Sequence, residues 1–206
     1  MKELYREYKN TDYQQCEELV NSAWSFDEIF KPKALSSLAK LIYTKGSIVG
    51  SNYKSVVEID GEVVGLIFGL NENFKKPRKD ILFNLQILFN LIFVKSITPD
   101  KKTLLNAMST HEKNKSQIVD NNRSEIVLFV IDKKHQGKGY GKKLWLGFRD
   151  FCIKSHVTSI VVETNKLEAS TFYEQIGFNH LEDFDSPLHE FATKDGQACI
   201  YVFQYG

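Results

Sequence analysis

Two hydrophobic patterns alternate along the chain: short runs suited to strands, and runs with apolar residues three and four apart suited to helices. Residues 3–8 read as a first strand, after which Thr11 and Asp12 stand where the N-cap of a helix over "YQQCEELVNSAW" belongs. A second helix follows over "ALSSLAKLIY" and ends near Gly46. The runs "YKSVVEID" and "EVVGLIFGL" flank Asp60-Gly61, a pair that tolerates positive φ and suits a two-residue type I′ turn, so they form an antiparallel hairpin. Further on, "SEIVLFVID" reads as a buried strand, and residues 138–154 as a helix with Leu144, Phe148, Phe151 and Cys152 on one face. "TSIVVETN" gives the next strand, "EASTFYEQI" a short helix stopped at Gly177, and "ACIYVFQY" a closing strand.

The segment from about 72 to 122 breaks this alternation. It holds "ILFNLQILFNLIFVK", residues 81–95, which is shorter than the roughly 20 apolar residues a membrane crossing takes. Asn84, Gln86 and Asn90 leave no wide wet face, so a helix here would be buried nearly all round. Three surfaces could bury it: the domain's own sheet, a second subunit in a homodimer, or a lipid headgroup layer assisted by "KKPRK".

Composition narrows the class. With 206 residues, 42% of them hydrophobic and 13% aromatic, residues 1–206 suit one folded domain with a sizeable core, the segment at 72–122 being an insertion in it. The 27 basic residues are balanced by 26 acidic ones, which points away from a nucleic-acid partner. Cys16, Cys152 and Cys199 are odd in number and far apart, with no metal-ligand spacing, and read as reduced core thiols. The opening "MKELYREYKN" carries charges where a signal peptide needs an apolar stretch, so a cytoplasmic protein is expected.

The chemistry concentrates in "FVIDKKHQGKGYGKKLW", residues 129–145, where glycines lie between a strand and a helix. Such a junction turns several backbone N–H groups and a helix dipole toward one spot and favours an anion such as phosphate. The dinucleotide fingerprint fails here because Lys142 stands where its third glycine belongs. The P-loop pattern fails at Gln136 and again at Lys143. What remains, Gln136-x-x-Gly139-x-Gly141, resembles the Q/R-x-x-G-x-G/A pyrophosphate loop of the GNAT N-acetyltransferases. A second stretch, "ASTFYEQIGF" at 169–178, resembles that family's A-x-x-F/L-Y-x-x-x-G-F segment and follows the loop by one helix and one strand. The element order is also similar to the family's over nearly the whole chain outside 72–122.

The resemblance implies an α/β fold: a mixed, mostly antiparallel sheet with a splayed central strand and flanking helices, here with a helical insertion. It implies an enzyme that moves an acetyl group from acetyl-CoA directly to a primary amine of a small molecule or protein, without a metal. A non-catalytic acyl-CoA-binding sensor or scaffold with the same fold is the alternative. By the same resemblance, Gln136, Gly137, Lys138, Gly139, Tyr140, Gly141 and Lys142 would hold the diphosphate, with Lys143 adding charge. Phe129, Val130 and Ile131 would offer backbone groups to the pantetheine arm and the thioester carbonyl. Tyr173 would be the general acid beside the coenzyme sulfur. Glu125 would be the base, with a water relay and the C-terminal carboxylate as competitors. Where the family often has Asn this chain has Lys166, and Asn165, one position earlier, is the remaining candidate for that contact. His135, His156 and His180 read as structural or solvent-facing, and Cys152 as core, which disfavours an acyl-cysteine route. The insertion borders the acceptor side and would shape substrate choice.

Overall fold

A computed structural model describes residues 2–30, 33–75, 77, 80–93, 98–120, 123–165, 170–190 and 197–205. Its strands are β1 (Glu3–Glu7), β2 (Tyr53–Ile59), β3 (Glu62–Leu70), β4 (Ser124–Ile131), β5 (Ser159–Asn165), β6 (Asn179–Asp185) and β7 (Gln197–Gln204). They form one sheet in the order β1-β2-β3-β4-β5-β7-β6, antiparallel at every junction except the parallel β4–β5 pair. The β2–β3 turn is of the expected kind, with φ of 50° at Asp60 and 93° at Gly61.

The helices are α1 (Tyr13–Trp24), α2 (Phe26–Ile29), α3 (Lys33–Gly50), α4 (Ile81–Phe93), α5 (Thr98–Ile118), α6 (Tyr140–Lys154), α7 (Ser170–Gln175) and α8 (Pro187–Glu190). Because side chains of a strand alternate between faces, neighbours such as Val56 and Val57, or Leu66 and Ile67, enter different cores. On one face Leu144, Trp145, Phe148 and Cys152 of α6 pack on Val57, Ile67, Ile126 and Val162. On the other, Cys16, Leu19 and Val20 of α1 and Phe26 of α2 pack on Val56, Leu66, Phe68 and Leu128. Gly69 lets α6 lie this close, since a Cβ there would run into the Phe148 ring. Cys16, Cys152 and Cys199 are buried thiols, and burial pushes Cys152 up to about 12, which removes its thiolate at neutral pH.

The β4–β5 junction shapes the molecule. Pairing is confined to Ser124↔Ile160, Glu125↔Val161 and Ile126↔Val162, although β4 runs on to Ile131 and β5 to Asn165. On the β3 side, Phe68 faces Leu128 while Gly69 faces Ile126, so Val127 is an extra residue in β4. Such a bulge bends its strand. It sits immediately after the last β4–β5 pair, and the two strands part there, which is the splay expected of the central strand.

Several local readings are corrected. Asp12 does not cap α1 with its side chain; the buried carboxylate instead takes two bonds from Arg6, at 2.7 and 3.0 Å, and one from the Lys9 N–H at 2.7 Å. The second helix does not stop at Gly46 but continues to Gly50 as α3. A Cβ at Gly46 would lie 3.7 Å from the Phe83 ring, so this glycine serves as a seat for α4 rather than as a stop. Strand β6 and helices α2, α5 and α8 add to the expected order. Helix α4 is not buried all round: Phe83 is 6% exposed, but Ile81, Leu82 and Leu85 are 70%, 77% and 55% exposed. Among the described residues no helix is long and apolar enough to cross a membrane.

Candidate active site

The loop after β4 is shaped by its own short-range bonds. Asp132 accepts from the Lys134 N–H at 3.0 Å, closing a 3-10 turn over Lys133–His135. Gln136 Nε2 donates to the Ile131 carbonyl at 3.1 Å and ties the loop back to its strand. Gly137 and Gly139 then take φ of 73° and 85°, and Gly139 is the N-cap residue of α6. A Cβ on either would meet no atom within 4 Å, so open space lies beside both glycines. The first N–H groups of a helix lack carbonyl partners within it, and those of α6 follow directly on Gly139. Lys138 and Lys142 are exposed and Tyr140 is buried. Lys143 is engaged elsewhere: its ammonium lies 2.6 Å from Glu3 and 5.4 Å from the centre of the Tyr5 ring, so its charge is already answered on β1.

A cavity of about 820 Å³ extends along the gap between β4 and β5. Glu125, Phe129, Val130 and Ile131 line it, as do Gln136 of the glycine loop, Asn165 at the end of β5, and Tyr173 of α7. Helix α3 adds Tyr43, and α5 adds His111, Glu112 and Lys115, so the insertion supplies part of the wall. Tyr173 is buried, with its ring against Phe172, Phe178 and Tyr201. Burial first, then the nearby Tyr43 and Cys199, raises its hydroxyl well above the usual tyrosine value, so it keeps its proton.

The same cavity wall carries a polar cluster of which the sequence signalled only Glu125. Glu125, on the face of β4 opposite Ile126, accepts from Lys115 Nζ at 2.6 Å. The same ammonium lies 3.0 Å from Glu163 of β5. Glu163 is also approached by His111 Nε2 at 3.3 Å and by His189 Nε2 at 3.0 Å, and His111 Nδ1 lies 2.8 Å from the Ser186 hydroxyl. Burial alone would push the Glu163 carboxyl up, but hydrogen bonds from the two histidines and the Lys115 charge hold it well below the carboxylate range. For Lys115 burial opposes the charge, and Glu125 and Glu163 outweigh it and hold the ammonium above the usual lysine range. His111, Glu163 and His189 bring ligand-type atoms within 4.8 Å of one another, but the Lys115 ammonium already supplies the positive charge a metal ion would bring. The histidines singled out from the sequence lie apart from this cluster: His135 is near Asp132 at 3.5 Å, His180 meets Asp183 at 2.6 Å, and His156 is exposed.

Residues 93–185 match the family described as the acetyltransferase (GNAT) domain. No curated protein sequence matches the chain. Solved structures share its fold along its length. A Pyrococcus horikoshii protein superposes with a TM-score of 0.63 at 17% identity, over 100% of this chain and 99% of the other. The PaiA N-acetyltransferase of Thermoplasma acidophilum, in complex with coenzyme A, gives 0.59 at 16% identity over 100% of both chains. The ribosomal-protein-S18-alanine N-acetyltransferase of Escherichia coli gives 0.57 at 14% identity, over 98% and 94%. The seven-stranded sheet and the central strand that leaves β5 and leads into the glycine loop belong to a fold shared with these structures, and residues 93–185 within it match the GNAT acetyltransferase domain.

Proposed function

We propose that this protein is an N-acetyltransferase that moves an acetyl group from acetyl-CoA directly to a primary amine. A GNAT acetyltransferase domain supports acyl transfer in general, and one observation carries the finer reading. The β4–β5 gap, opening at the Val127 bulge, runs without a break from the carboxylates to the glycine loop, with Tyr173 on its wall. This is the shape of a slot for a long donor with an anionic tail at one end and a reacting carbonyl at the other. The fold neighbours support it, one being an N-acetyltransferase in complex with coenzyme A. In this reading residues 1–206 act as one acetyltransferase domain in the cytoplasm, on a small molecule or a protein.

The residues fit the donor. The open space beside Gly137 and Gly139 accommodates a diphosphate, which the N–H groups of Gly139, Gly141 and Lys142 would hold while Lys138 and Lys142 add charge. Acetyl-CoA supplies the activated acyl group as a thioester. The edge of β4 that has left β5, at Phe129, Val130 and Ile131, offers N–H and C=O groups to the arm's amides and an N–H to the thioester oxygen. As the C–N bond forms and the C–S bond breaks, Tyr173 donates its proton to the departing sulfur. The proton lost by the amine passes to a cavity carboxylate, directly or through water. Glu125 and Glu163 both stand there, each sharing Lys115, which orients the pair.

The test is incubation of the purified protein with acetyl-CoA and a panel of primary amines, following free thiol and acetylated product together. Thiol release that depends on the amine, with equal product, is expected. Tight donor binding with no release across the panel would instead favour the sensor, and no donor binding at all would sink both.

A further inference from the structure

Helix α4 presents a face that acyl transfer does not call on. Its 13 residues, "ILFNLQILFNLIF", contain no charged side chain. Its start is firmly made, since Asp80 accepts from the Phe83 N–H at 2.9 Å and its carbonyl accepts from the Asn84 N–H at 3.1 Å. Phe83 is the residue that seats it, against Gly46 of α3 with Lys45 Nζ 5.9 Å from the ring centre. Ile81, Leu82 and Leu85 are spaced three and four apart, share one face, and stand out in solvent. An uncharged helix with Ile81, Leu82 and Leu85 turned outward offers an apolar surface of the kind that docks.

Charge identifies the partner. Between residues 75 and 102 the sequence has seven basic residues, Lys75, Lys76, Arg78, Lys79, Lys95, Lys101 and Lys102, against the two acidic Asp80 and Asp100. The segment therefore carries a net charge of +5, whereas the whole chain carries +1, which leaves the remainder at −4. Two copies meeting through α4 would bring together two segments of +5, and like charge opposes that contact. A surface that is apolar inside and negative outside answers both features at once. We propose that α4 docks on an anionic lipid surface, Ile81, Leu82 and Leu85 entering the headgroup–acyl boundary, while the net charge of +5 that the sequence carries around the helix matches the negative headgroups. The helix lies in the interface plane and does not cross, in keeping with its length. This inference stands independently of the acetyl-transfer reading, because it rests on a face outside the cavity.

The probe is co-sedimentation of the full chain with phosphatidylcholine vesicles, with and without about 30% phosphatidylserine, at low and high salt. Binding to the serine-containing vesicles is expected at least tenfold above binding to phosphatidylcholine alone, falling by a similar factor at about 0.5 M salt. Leu82→Glu with Leu85→Glu should reduce it at least tenfold, and because both side chains point into solvent the melting curve should stay unchanged. A Gln replacement of Lys75, Lys76, Arg78 and Lys79 should reduce it without touching the helix. Equal sedimentation with both lipids, or none with either, overturns the proposal. So does light scattering that shows a dimer which the Leu82→Glu and Leu85→Glu changes dissociate, since the face would then belong to a second copy.

Discussion

At Gly139 there is room for a side chain, but the backbone forbids it: φ is 85° and nothing lies within 4 Å of a built Cβ. Gly139→Ala therefore tests conformation alone, at about 1 kcal/mol of strain. Gly139→Asp adds a negative charge where a diphosphate would sit and should abolish acetyl-CoA binding in titration calorimetry. Parental affinity in the Asp variant would mean that the loop holds no anion. Tyr173 poses a different question, since its buried ring is part of the core and its hydroxyl is the proposed acid. Tyr173→Phe keeps the ring, so donor affinity should hardly change while turnover falls by roughly 10 to 10,000 fold. Because the hydroxyl is held above its ordinary value of about 10, no loss of rate from its ionisation should appear below about pH 10. Unchanged turnover in steady-state assays would reduce Tyr173 to packing.

Between elements, the Lys115 cluster fastens α5 to β4 and β5 by charge. Glu163 is held below its unfolded value of about 4.3, so its contribution is present above that pH and lost as pH falls through the lower folded value. Lys115 is held above about 10.4, so its contribution is present below that and lost as pH rises through the higher folded value. Glu163→Gln should thus cost about 3 kcal/mol near neutrality, the scale of breaking a buried pair, and the gap to the parent should close as pH falls below about 4. Thermal melts of both proteins from pH 3 to 8 would show it; a gap constant with pH would mean that the carboxylate is not held as an anion. Of this tie only Glu125 is legible in the sequence. His111, Lys115, Glu163 and His189 lie on α5, β5 and α8 and meet only once the sheet has brought those elements together. The strand β6 was missed for a related reason. In "NHLEDFD" only Phe184 is buried, so an edge strand held by backbone bonds to β7 shows no period-two alternation. The loop and the Tyr173 segment were legible because each is continuous in sequence, the loop being fixed by glycines that few other residues could replace. Strands β2 and β3 were legible because Asp60 and Gly61 dictate their turn.

Across the molecule, the sheet consists of two wings, β1 to β4 and β5 with β7 and β6, whose direct pairing is three residue pairs long. The rest of the join is made by side chains: the Trp145, Phe178 and Ile160 cluster on one face and the Lys115 tie on the other. A donor lying in the gap would touch the glycine loop and β4 on one wing and Tyr173 and Asn165 on the other, so it would lock together parts that the chain itself joins sparingly. Any ligand that binds only the folded state stabilises it, by about 2.7 kcal/mol at a hundred times its Kd. For a chain of this size that corresponds to a rise in melting temperature of roughly 5 to 10 °C. Tyr173→Phe should keep the rise, since it retains the slot, and Gly139→Asp should lose it. Hydrogen exchange should locate the same event, because amides of residues 127–131 that face the gap have no β5 partner in the free protein. Their exchange should slow on adding acetyl-CoA, while amides of β1, at the far edge of the sheet, should change little. A thermal rise that survives Gly139→Asp, or protection that misses residues 127–131, would place the donor outside the gap.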